Sequence, residues 1–155
     1  MFTDFNNLSN DSRLWLYGSE TILTEDQKRV INQKLTFFLE KWESHQQSLT
    51  CSFKILENHF LIIALDESKS GAGGCSIDGL QRLIQELENK LDIVLLNRLN
   101  VFCRVDNHIK CYSTSKLKEY VDKDTLFYDL TIQKKEQMKD WLKPISNGWC
   151  SRYFY

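Results

Sequence analysis

Between residues 13 and 105 the sequence offers a strand, a helix, two strands, a second helix and a further strand. That order predicts an α+β fold with a ferredoxin-like βαββαβ core. A C-terminal β-hairpin/helix extension is predicted over about 106–155. Three observations carry the prediction: an amphipathic helix behind a capping box, a hairpin whose second strand is apolar on both sides, and a second amphipathic helix behind a glycine-rich loop. A chain of 155 residues is expected to form a single domain, 1–155, around a sizeable core.

Arg13 to Tyr17 (RLWLY) alternates aromatic and apolar residues and reads as the first strand. Thr24-Glu25-Asp26-Gln27 is a capping box, in which the threonine hydroxyl takes one amide proton and the glutamine reaches back for another. The helix behind it is predicted to run to about Glu43, with Ile31, Leu35, Phe38 and Trp42 on one face. Leu49–Leu56 and His59–Asp66 form a predicted hairpin around Glu57-Asn58, with Leu56 opposite His59. This register gathers Cys51, Phe53, Ile55, Phe60, Ile62 and Ala64 on one face, leaving Leu61, Ile63 and Leu65 on the other.

Residues 76–91 give the second helix, with Ile77, Leu80, Ile84, Leu87 and Leu91 in steps of three and four. Ser76 is its expected N-cap, and Asp78 in the first turn suits the positive helix end. Strands follow near Asn100–Val105 and Ile109–Tyr112. A three-residue turn, Asp106-Asn107-His108, would place Cys103 opposite Cys111 and give one apolar face. Thr114–Val121 reads as a short helix, Thr125–Ile132 as a strand, and Lys134–Leu142 as a helix stopped by Pro144. The aromatic tail SNGWCSRYFY is expected to dock on the body.

Apolar residues make up 42% and charged residues 26%, a balance that excludes wholesale disorder. With 20 basic and 21 acidic side chains the net charge is −1, which argues against general nucleic-acid binding. The lysines between Lys110 and Lys118 read as a solvated surface. MFTDFNNLSND has no basic, apolar leader pattern, and FLIIAL at 60–65 is far too short to span a bilayer, so no membrane insertion is expected. Five cysteines without a C-x-x-C fit reduced thiols and a cytoplasmic location. His45, His59 and His108 are isolated, so no metal site is encoded, and no cofactor is expected.

The stretch GAGGCSIDG, residues 71–79, is the leading site candidate. Glycines before a helix let several amides converge on an anion, and a cysteine there can hold a stabilised thiolate. Cys75 is then the candidate nucleophile or redox thiol, with Gly73, Gly74 and Ser76 as donors and Asp78 beside them. Asp66 and Glu67, ending the preceding strand, border the loop. The plain structural alternative is a turn, a serine cap and a packed cysteine. A phosphate loop would need a lysine after the last glycine, where Cys75 and Ser76 stand, so nucleotide hydrolysis is not expected. No histidine is assigned to Cys75 by spacing. Trp15 and Tyr17 could line an aromatic pocket or serve as core. His45, just past the first helix, reads as a partner for its last carbonyls.

Taken together, Ser12-Arg13-x-Trp15-x-Tyr17, Ser52–Leu56, Asp66-Glu67-Ser68, Gly74-Cys75-Ser76-Ile77-Asp78 and Trp149-x-x-Arg152-Tyr153-Phe154 resemble a small bacterial family of about this length. Its members are often labelled "ABC transporter ATPase". The label implies nucleotide binding, but this chain lacks the Walker lysine and the length of an ATPase cassette, so we read it as a misannotation. The resemblance implies interest in Arg13, Trp15, Tyr17, Cys75, Ser76, Asp78, Trp149 and Arg152.

The sequence therefore points to a non-catalytic module that binds a small molecule or a protein. A homodimer through the open sheet face is its simplest partner. The alternatives are a thiol-dependent enzyme or redox protein using Cys75, and anion or nucleotide binding at residues 71–76 without hydrolysis.

Overall fold

In the computed structural model, which describes residues 1–155, the fold is α+β, with mixed helices and antiparallel sheets. The chain divides into two compact units, one of Met1–Leu96 with Gln133–Glu136, the other of Asn97–Ile132 with Gln137–Tyr155.

The first unit contains β1 (Arg13–Gly18), α1 (Glu25–Glu40), β2 (Glu43–Ser44), β3 (Gln47–Ser48), β4 (Thr50–Leu56), β5 (Phe60–Asp66) and α2 (Gly74–Leu91). The capping box forms as expected: Gln27 N donates to Thr24 Oγ1 at 3.1 Å and Thr24 N to Gln27 Oε1 at 2.9 Å. Ile31, Leu35 and Leu39, four residues apart on α1, are fully buried. The helix ends at Glu40 with Lys41 as C-cap, short of the expected Glu43, so Trp42 enters the core from the following bend.

The sheet order is β1-β5-β4, all antiparallel. The β4–β5 register differs from the expected one by a residue: Leu56 faces Phe60, not His59. Glu57 and Asn58 both adopt left-handed backbone, and the His59 amide closes the turn on the Leu56 carbonyl at 3.1 Å. His59 is then an extra residue in this turn. On its other side it is held by Ser19, whose amide donates to its carbonyl at 2.7 Å and whose carbonyl lies 3.0 Å from its Nδ1. The slip turns every side chain of one strand over. Cys51, Phe53 and Ile55 thus share their face with Leu61, Ile63 and Leu65, and that face packs with Trp15, Tyr17 and the apolar sides of α1 and α2. Each fully buried leucine or isoleucine there contributes about 1.5–3 kcal/mol of transfer free energy.

The opposite sheet face is buried as well: Phe60, Ile62 and Ala64 have no exposed surface. A 3-10 helix at Phe5–Asn7 lies on it, with the Lys54 ammonium 4.9 Å from the Phe5 ring centre. Phe60, Ile62 and Ala64 lie on the face that the sequence reading left open.

The strand at 100–105 does not join this sheet, contrary to the ferredoxin-like expectation. The free edge of β1 is instead met by Gln133–Lys135. Leu14 N donates to Gln133 O, Lys135 N donates to Ser12 O, both at 2.9 Å, and Arg13 bridges Lys134.

The second unit contains β6 (Asn100–Val105), β7 (His108–Ser113), α3 (Leu117–Tyr120), β8 (Leu126–Tyr128) and β9 (Leu142–Pro144), in the order β7-β6-β8-β9. Asp106 and Asn107 form a two-residue left-handed turn, so Val105 faces His108 and Cys111 faces Phe102, not Cys103. The faces therefore mix, with Tyr112 and Lys110 on the side of Val101 and Cys103. The expected helix at 114–121 shrinks to one turn, and the strand at 125–132 to three residues. The expected helix at 134–142 is a 3-10 helix, Lys135–Asp140. Pro144 closes no helix; it sits in edge strand β9, where a missing amide is tolerated. The tail forms a 3-10 helix, Trp149–Phe154, whose Cys150 is fully buried with Cys103, Leu117, Phe127 and Ile145. A β-carbon on Gly148 would stand 2.1 Å from Phe127 Cζ, so only glycine lets the tail approach that ring.

No helix is long and apolar enough to cross a membrane.

Candidate functional site

In the first unit the glycine loop opens onto a cleft of about 800 Å³. One wall is α1 with its C-cap, through Lys34, Phe37, Phe38 and Lys41. The other is α2, through Cys75, Gly79, Leu83 and Glu86. Trp42, the β2–β3 hairpin and Gly73–Gly74 close one end.

Local bonds hold that end together. Ser76 is not the N-cap of α2; Gly73 is, without a side-chain cap, and Ser76 is the third helical residue. Its hydroxyl has a tertiary partner, donating to the Glu43 carbonyl at 2.8 Å. In return Trp42 Nε1 donates to the Ser76 carbonyl at 2.9 Å, a bond buried from solvent. This clasp ties the hairpin to the first turn of α2. Gly73 runs so close to the hairpin that a β-carbon there would lie 3.3 Å from Ser44 Oγ and 3.8 Å from His45 Nε2. His45 and Gln46 make the hairpin turn, both in left-handed backbone. The hairpin thus carries an imidazole to the glycine loop, a neighbourhood that chain spacing did not reveal.

Cys75, the second residue of α2, is exposed in this cleft. The other cysteines differ. Burial pushes the thiol of Cys51 up to about 11 and those of Cys103 and Cys150 to about 12 and about 11. No side chain accepts a bond from the amides of Gly74 and Cys75. The cleft offers flat apolar surface and both signs of charge: Lys34 and Lys41 against Glu43 and Glu86. Trp42 packs on Phe38, ring centres 5.8 Å apart, and edge-on to Trp15 at 5.7 Å, so the aromatic floor continues into the core. The Lys41 ammonium lies 3.9 Å over the exposed Phe37 ring.

Of the expected site residues, Gly73, Gly74, Cys75 and Ser76 come together here. Asp78 does not: it is the fifth residue of α2, past the first turn, and exposed outside the cleft. Glu67 braces the loop from behind, its Oε2 accepting from Ala72 N at 3.3 Å and standing 3.9 Å from Arg13 Nη1. Asp66 accepts from Ser68 N at 2.9 Å, a bond that lowers its carboxyl pKa. The Arg13 guanidinium lies over Trp15. Tyr17 is core, with its hydroxyl accepting from Gln81 Nε2 at 2.8 Å. Trp149 and Arg152 belong to the other unit, where Trp149 packs edge-on to Tyr153 and Arg152 donates to the Tyr153 hydroxyl at 3.2 Å.

Sequence reasoning missed the α1 wall. One signal was there: Phe37 and Phe38 are adjacent on a helix, so both cannot face the core, and Lys34 and Lys41 lie one turn either side. No three or more His, Cys, Asp or Glu side chains are gathered as metal ligands. Comparison with known proteins gives no match: no family model, no curated protein and no solved structure matches this chain.

Proposed function

We propose that this protein is a non-catalytic binding module that takes a small molecule in the cleft between α1 and α2. One observation carries the reading: Gly73, Gly74, Cys75 and Ser76 line a single cleft with Phe37, Phe38, Trp42 and His45. Concave surfaces with a flat apolar lining and a few polar groups are the usual form of small-ligand sites. All five cysteines are free thiols, which fits a cytoplasmic setting. From the family resemblance we take only the prominence of Gly74–Asp78, three of whose residues line the cleft.

The test is a thermal-shift and ligand-observed NMR screen of aromatic acids, amines, phosphate, AMP and ATP against the full chain. Gly79→Leu is the control. The site of its β-carbon lies 3.6 Å from Phe38, an ordinary contact, so a larger side chain fills the cleft. A hit that binds the parent and not Gly79→Leu supports the reading. Hits unaffected by that variant, or none from the whole screen, count against it.

His45 stands beside Gly73 and lines the same cleft as Cys75, which favours a second reading in which Cys75 is a nucleophile or redox thiol with His45 as its base. Alkylation of Cys75 whose pH profile shifts on His45→Gln would favour it. An unchanged profile at the ordinary thiol pKa of about 8.5 would remove it.

A further inference from the structure

The near-neutral charge of the whole chain hides a division. The unit of β6–β9 carries nine Lys and Arg against six Asp and Glu, whereas the unit of α1 and α2 carries eleven against fifteen. In the basic unit Tyr112 and Tyr120 stack face to face, ring centres 5.0 Å apart and planes 9° from parallel. Tyr120 is 60% exposed. With one ring face on Tyr112, the residue still keeps more than half of its surface exposed. A flat ring at the end of a stack is a platform for another flat ring.

The surroundings suit a strand of phosphates. Lys110 shares the β7 face of Tyr112, and Lys116 and Lys118 lie four and two residues before Tyr120; all three are exposed. Beside Tyr120 lies a hollow of about 410 Å³ lined by Arg104, Lys118 and Thr125. Glu119 and Asp122 also line it. The Asp122 carboxylate is already engaged, accepting from the amides of Asp124 and Thr125 at 2.9 and 3.1 Å.

We infer that the Tyr112–Tyr120 platform binds single-stranded nucleic acid, with a base on the face of Tyr120 away from Tyr112 and adjacent phosphates at Lys110 and Lys118. A duplex does not fit, because its bases are stacked on one another and cannot reach the ring. This site is distinct from the cleft, and its partner is one that the whole-chain charge argued against. With two or three phosphates engaged, affinity falls roughly tenfold between 50 and 200 mM salt.

Fluorescence anisotropy of the full chain with a labelled oligothymidylate of about twelve nucleotides reads this. Saturable binding at low salt is expected, weakened severalfold or more by Tyr120→Ala and by Lys118→Glu. Tyr120→Phe, which keeps the ring, should bind like the parent, and near-UV circular dichroism checks that each variant is folded. Absence of binding at 50 mM salt overturns the inference. So does an equal or tighter affinity for the duplex of the same length, or a folded Tyr120→Ala that binds unchanged.

Discussion

The indole of Trp42 and the carbonyl of Ser76 are joined by a buried 2.9 Å hydrogen bond across 34 residues of chain. Together with the Ser76 hydroxyl on Glu43, it fastens the hairpin to α2. Trp42→Phe keeps most of the ring but leaves that carbonyl unpaired. Urea unfolding should show a loss of about 1–3 kcal/mol. A loss under 0.5 kcal/mol, as for an ordinary surface change, would mean the clasp contributes little.

Gly148→Ala should be among the most harmful single changes. The new methyl would need to occupy space held by the buried Phe127 ring, which has no flexible end to move. Overpacking of this kind costs about 1–3 kcal/mol. Thermal unfolding checks it, and Gly148→Ala combined with Phe127→Leu should recover part of the loss.

Asp129 gives the basic unit a dependence on acid. Burial acts to raise its carboxyl pKa. Bonds from the Thr131 hydroxyl and amide and from the Lys143 ammonium, at 2.9 Å, outweigh it and hold the group below its ordinary 3.8. A depressed native pKa stabilises the fold fully above the unfolded value, and the contribution is lost as pH falls through the native one. Stability should therefore drop in acid, below about pH 4. Asp129→Asn should cost about 1–3 kcal/mol at neutral pH and show a flatter acid limb. Parallel acid limbs for parent and variant would contradict this.

Thiol labelling of the native protein should be uneven. Cys75 is exposed and should react first with iodoacetamide at pH 8. Cys111 is half-buried and should follow. Cys51, Cys103 and Cys150, buried and protonated, should stay unlabelled until unfolding. Mass spectrometry of peptides after a short pulse decides; early label on Cys103 would show that the basic unit opens readily.

Local rules read well from the sequence. The Thr24–Gln27 box and the stripe through Ile31 and Leu35 depend only on neighbours a turn apart, and both are where the sequence places them. Both hairpin registers were displaced by one residue: His59 adds a residue to the turn expected to hold only Glu57-Asn58, and Asp106-Asn107 alone make the turn expected to hold three. Ser76 has the chemistry of a cap but serves a partner 33 residues away, which propensity cannot see. The cleft was half legible. Its glycines and Cys75 lie together in the sequence, while His45 reaches them only through a turn, His45-Gln46, that lacks the usual asparagine or glycine.

The pairing of Arg13 with Lys134 bears on how the chain is made. During synthesis the amino-terminal strand leaves the ribosome more than a hundred residues before the segment that borders it. Until then the ladder groups along one side of β1 have only water or a chance strand to pair with. A fragment cut after Leu96 would keep this bare border for good, and a nascent chain keeps it for the seconds that translation of the intervening stretch takes. That interval opens a window, set by the pace of translation, in which this border can pair with a neighbouring chain.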